Sequence, residues 1–103
     1  MKAIKIQKPW EVSCVDMDKP VPLKGEALIK IVSAGICGSD IGAFRGTNGL
    51  VSYPRVIGHE LAGIVEEISI DNPKGLKVGD RVIVDPYIYC GKCYPCSIGR
   101  TNC

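Results

Sequence analysis

Apolar and polar positions alternate in short runs along most of this chain, the period of half-buried strands. Ala3–Gln7 and Glu11–Val15 are β-branched and partly alternating, with Pro9 and Trp10 between them, which predicts a β-hairpin. A Pro- and Gly-rich connector over residues 18–26 leads into Ala27–Gly35, where Leu28, Lys30 and Val32 interleave with Ile29 and Ile31 as in a strand with at least one buried face. Gly35 and Gly38 interrupt that run. Ser39 or Asp40 is placed to cap a short helical turn ending at Arg45, and residues 46–54 read as loop. Leu61–Ile68 fits helix or strand by pattern alone. Its shortness, and the Gly79–Asp80 turn leading into Arg81–Val84, favour strands in a small barrel or sandwich. The predicted fold is therefore mainly β. Residues 86–103 have little apolar periodicity and cannot form a core, so something other than packing must hold them.

The chain has 103 residues, enough for one domain that buries roughly 65% of its unfolded surface. With 46% hydrophobic and 23% charged residues, disordered and collagen-like classes are excluded. A net charge of +2 with dispersed lysines gives no footprint for nucleic acid or anionic lipid, so neither is an expected partner. No apolar run approaches the roughly 18 residues of a membrane span. Lys5 and Lys8 interrupt any secretory core at the N-terminus, so a cytoplasmic location is expected. In a reducing compartment, six cysteines point to metal ligation ahead of disulfides.

Cys90, Cys93 and Cys96 are each separated by two residues, and Cys103 follows after six more. Two intervening residues let a tight turn bring both thiolates to one ion at roughly 2.3 Å, and four such ligands close a tetrahedral shell around zinc. A closed shell leaves no position for substrate, so the site would be structural. The alternatives are three unrelated thiols, an iron–sulfur run, and a nucleic-acid zinc ribbon. The bacterial ferredoxin run continues with three residues and Cys-Pro, which Cys96–Cys103 does not, and Lys92, Tyr94 and Arg100 are few for a ribbon.

Elsewhere, His59 is the only histidine and stands beside Glu60 in "VIGHELAG"; Cys37 stands in "AGICGSD" with Ser39 and Asp40 nearby. A lone histidine is usually a surface or satisfied core residue, and a lone cysteine a small buried hydrophobe. Together, one thiolate and one imidazole from separate segments make two of the three protein ligands an open catalytic zinc needs. Cys14, in the predicted hairpin, reads as a core residue.

"GICGSD", "YPRVIGHE", "KVGDRV" and "CGKCYPCSIGRTNC" occur in one order along the chain. In that order and at similar distances, the sequence resembles the N-terminal GroES-like catalytic domain of zinc-dependent medium-chain alcohol and polyol dehydrogenases, closest to the sorbitol, threonine and galactonate dehydrogenase branch. The resemblance implies a partly open β-barrel with short helices over 1–103 and a structural zinc lobe over 86–103. It implies one catalytic zinc on Cys37 and His59, with Glu60 as alternative ligand or adjacent carboxylate, and one structural zinc on Cys90, Cys93 and Cys96. Asp40 would orient the ligands. Ser39 would take the proton of a small polyol or sugar-acid substrate as hydride passes to NAD or NADP.

Three departures qualify it. Many relatives place the fourth structural cysteine one position later than Cys103, which is thus a substitute or a neighbour of the real ligand. Gly42 stands where a relay histidine is frequent, so the outer proton path would use water or another group. The remaining catalytic ligand and the nicotinamide-binding domain would lie beyond this chain, which contains no G-x-G-x-x-G motif. A fragment of a protein about three times longer is expected, inactive alone and forming a homodimer or homotetramer at full length. Tyr53 and Arg55 would border the substrate pocket. A non-catalytic zinc-stabilised binding module and a co-chaperonin-like barrel are the rival readings.

Overall fold

The computed structural model describes residues 1–69 and 74–101. In chain order the elements are β1 (Lys2–Lys8), β2 (Glu11–Asp16), β3 (Ala27–Ala34), α1 (Gly38–Arg45), β4 (Arg55–Val56), β5 (Leu61–Ile68), β6 (Arg81–Ile83) and α2 (Tyr94–Ser97). They form two three-stranded sheets, in orders β2-β1-β4 and β3-β5-β6, with every pairing antiparallel. The mainly β expectation holds. No strand pairing joins the two sheets among the described residues, so closure into a barrel is not seen.

The hairpin forms where alternation predicted it, with Ile6 opposite Val12 and Ile4 opposite Cys14. Its turn carries Trp10 at φ 67°, and this turn is what seats α1 on β1. Trp10 N–H donates to the Phe44 carbonyl at 2.7 Å, and the two rings meet edge to face at 5.2 Å. Tyr53 O–H donates to the Ala43 carbonyl and Thr47 N–H to the Gly42 carbonyl at 3.0 Å, so the last carbonyls of the helix find partners. Gly46 ends α1 at φ 75°, and a Cβ there would lie 2.7 Å from Pro9 Cγ, so both backbone and packing require glycine.

The helix start differs from expectation. Cys37, with an extended backbone, is the N-cap, and Asp40 is the third helical residue whose carboxylate accepts Cys37 N–H at 2.9 Å. This is the acidic half of a capping box: Asp40 reaches back to the cap instead of being the cap.

The core is thin. Among the described residues Ile6, Ala43 and Val65 are the buried hydrophobic ones, and the radius of gyration of 15.9 Å exceeds the about 13 Å of a compact domain this long. An apolar cavity of about 500 Å³ stays open between the hairpin and α1, lined by Ile4, Ile6, Val12, Ile41 and Phe44. Cys14 pairs with Ile4 but does not line that cavity. It is exposed and not the expected core residue. No described helix is long and apolar enough to cross a membrane.

Candidate metal centres

Cys37 and His59 meet because of sheet register. β3 and β5 pair antiparallel with Ala34 opposite Leu61, so the chain leaving β3 and the chain entering β5 lie at one end of the sheet. Gly35 N–H extends that pairing to the Glu60 carbonyl at 2.7 Å. From there the first chain turns into α1 through Cys37, and the second arrives through Gly58, at φ 123°, to His59 and Glu60. One ligand atom each from Cys37, His59 and Glu60 lies within 4.8 Å of the others. Sulfur, imidazole and carboxylate are all zinc donors, and three that close together fit one ion.

Asp40 ties the two segments together. It is 7% exposed; one oxygen holds Cys37 N–H at 2.9 Å and the other faces His59 Nδ1 at 3.5 Å. That placement favours a proton on Nδ1 and leaves the Nε2 lone pair for a metal, with Ser39 Oγ at 3.5 Å from Nε2. The Cys37 thiol is held below its ordinary range, first by the Ser39 backbone N–H at the helix start, then by the Ser39 hydroxyl and His59. These donors favour the thiolate, the form that binds metal. The His59 imidazole is raised, first by its hydrogen bond with Cys37, and a metal would take the place of that shared proton. An open cavity of about 540 Å³ adjoins the cluster, lined by Ser33, Cys37, His59, Glu60, Ala62 and Tyr87. Sequence reasoning missed Tyr87; its one signal is a position between β6 and the cysteine run.

Cys90, Cys93 and Cys96 form a second cluster whose ligand atoms also lie within 4.8 Å of one another. Gly91, at φ 73°, turns the chain so that Cys93 N–H donates to Cys90 Sγ at 3.4 Å. Cys93 is the N-cap of α2, and Cys96 lies within it. Cys96 Sγ is 3.9 Å from Cys90 Sγ and 3.4 Å from Cys93 Sγ. Neighbouring sulfurs of a tetrahedral zinc shell at roughly 2.3 Å would stand about 3.8 Å apart, so this set fits zinc. The Cys90 thiol is lowered to about 7, chiefly by the backbone N–H groups of Lys92 and Cys93. Cys103 lies outside the described residues. Away from both clusters, the Tyr53 hydroxyl is engaged by Ala43, and the Arg55 guanidinium reaches Ser52, its Nη2 3.3 Å from Ser52 Oγ.

Residues 23–103 match the alcohol dehydrogenase GroES-like domain family. The chain belongs to that family. Across all 103 residues it is 57% identical to an uncharacterised zinc-type alcohol dehydrogenase-like protein of Haemophilus influenzae, covering 30% of that protein. It is 45% identical to the L-galactonate-5-dehydrogenase of Escherichia coli over 103 residues, again all of this chain and 30% of the relative. A crystal structure of short chain alcohol dehydrogenase (rspB) from E. coli CFT073, complexed with NADH, superposes with a TM-score of 0.84 at 47% identity. It aligns with 99% of this chain and 29% of its own. This GroES-like chain thus spans about 30% of the length of the curated relatives it matches.

Proposed function

We propose that this chain is the N-terminal catalytic domain of a zinc-dependent NAD(P) dehydrogenase that oxidises a secondary alcohol of a small polyol or sugar acid. The nicotinamide-binding domain and a further catalytic ligand lie outside it. The observation that carries this reading is the convergence of Cys37, His59 and Glu60 on the wall of an open cavity, with Ser39 beside His59. The names of the relatives support the reaction class, and L-galactonate-5-dehydrogenase supports the sugar-acid side of the substrate range.

Cys37 and His59 would hold the catalytic ion, with Glu60 as third donor or neighbouring charge. When bound, zinc supplies Lewis-acid polarisation of the substrate oxygen. Ser39 Oγ, two residues from Cys37 and 3.5 Å from His59 Nε2, would accept that oxygen's proton as its own passes on to water or another group. Asp40 fixes the His59 tautomer from the buried side. The sheet and helix start hold these groups before substrate arrives, so orientation is preset. Cys90, Cys93 and Cys96 would hold the structural zinc of a lobe over 86–103, with Cys103 the candidate fourth donor. As part of this proposal, the full-length protein is a cytoplasmic homodimer or homotetramer.

The test is turnover by the full-length protein, measured as NADH or NADPH formation over a panel of polyols and sugar acids. Cys37→Ala should abolish turnover while the lobe keeps its zinc. Retained turnover, or activity on no alcohol at all, would overturn the proposal.

A further inference from the structure

Glycine at position 35 has no backbone reason to be there. Its φ lies outside the left-handed region, and neither turn nor cap requires it. What it avoids is a single neighbour: a Cβ built on Gly35 would fall onto Glu60 Oε2 and lie 3.0 Å from Glu60 Cβ. The third nearest atom is Glu60 Cδ at 3.5 Å, so the three closest approaches all come from one side chain. Glu60 cannot retreat by moving its backbone, because its carbonyl is held by Gly35 N–H at 2.7 Å. Its carboxylate is the one that joins Cys37 and His59.

We infer that Gly35 is a positioning residue for the catalytic metal: the missing side chain is the slot in which the Glu60 side chain lies, and that slot delivers the carboxylate to Cys37 and His59. This inference rests on the metal-site reading above. An alanine here keeps the Gly35–Glu60 hydrogen bond with a backbone shift of a few tenths of an ångström to ease the Cβ approach, and rotates the Glu60 carboxylate out of the cluster. The expected lesion is loss of the Glu60 carboxylate alone, with Cys37 and His59 in place.

The experiment uses full-length protein with cobalt(II) at this site, read by sulfur-to-cobalt charge-transfer bands, ligand-field bands and chelator competition. Four proteins are compared: wild type, Gly35→Ala, Glu60→Ala and the double variant. Gly35→Ala should weaken cobalt binding by roughly tenfold to a hundredfold, as loss of a supporting group does. It should shift the ligand-field bands as Glu60→Ala does, and keep the charge-transfer band of Cys37. The double variant should match Glu60→Ala within about twofold, because the colliding carboxylate is gone and only the tight but tolerable Cβ approach at 3.0 Å remains. If Gly35→Ala does not fold, the double variant must fold for the inference to stand. Wild-type behaviour of Gly35→Ala, or an equal loss in the Glu60→Ala background, overturns the role of Gly35 and leaves the metal site intact. A wild-type protein with no Cys37-dependent cobalt band overturns the metal-site reading, and this inference with it.

Discussion

Cys90, Cys93 and Cys96 come from seven consecutive residues, whereas Cys37 and His59 are 22 positions apart and meet only because β3 pairs with β5. The first cluster is local and has almost no packing: α2 buries no residue, and its thiols are held by backbone turns. The second is assembled by tertiary structure, with the buried Asp40 and the Gly35–Glu60 hydrogen bond fixing its parts. The lobe would therefore depend on an ion for its shape, whereas the frame around Cys37 and His59 is set by the protein itself. A structural zinc supplies folding energy outright, and a catalytic one is better served by a frame that stays put when substrate exchanges.

Metal removal should separate them most strongly. Apparent zinc binding energies of about 10–16 kcal/mol in small cysteine sites exceed anything α2 can supply by packing. Chelation, or Cys93→Ser, should therefore bring the Ser97 and Ile98 amides to exposed hydrogen-exchange rates while β3 and β5 keep their protection. Equal protection in the apo lobe would remove the contrast. Next in size, Cys37→Ser should eliminate the second metal and leave thermal unfolding of the sheets within a few degrees, measured by metal analysis and calorimetry. Asp40→Asn comes third. An asparagine oxygen can still accept Cys37 N–H, but the charge facing His59 is lost, so affinity at this site should fall roughly tenfold to a hundredfold with the lobe unaffected. Smallest is Cys14→Ser: an exposed thiol outside both clusters should change stability by no more than about 0.5 kcal/mol and metal content not at all.

The same contrast explains what was legible in the sequence. Two-residue spacing encodes the lobe directly, since a turn of that length has few ways to aim two thiols. The hairpin and β3 were legible because period-two alternation matches strands with one covered face, and β5 and β6 because of short length and the Gly79–Asp80 turn between them. The residue types of Cys37 and His59 suggested a shared metal and the family resemblance strengthened it, but no local pattern shows that they meet; the register of β3 and β5 supplies the physical cause. The helix cap was misplaced because serine and aspartate are the usual caps, while here the preceding cysteine takes that position and Asp40 serves from the third residue. Two-residue β4 exists only by pairing with Lys5 and Ile6, which no local pattern records. Cys14 is exposed against expectation because alternation gives the face a residue points to, not whether anything covers it.

The central claim is that Cys37 and His59, from separate segments, hold one ion distinct from that of the cysteine lobe. Zinc counted by mass spectrometry in purified full-length wild type, Cys37→Ser, His59→Ala and Cys93→Ser tests it most directly. Two ions per chain in wild type, with one lost in each variant and the lobe's loss independent of the other two, is the expected result. Two ions retained in both Cys37→Ser and His59→Ala would contradict it.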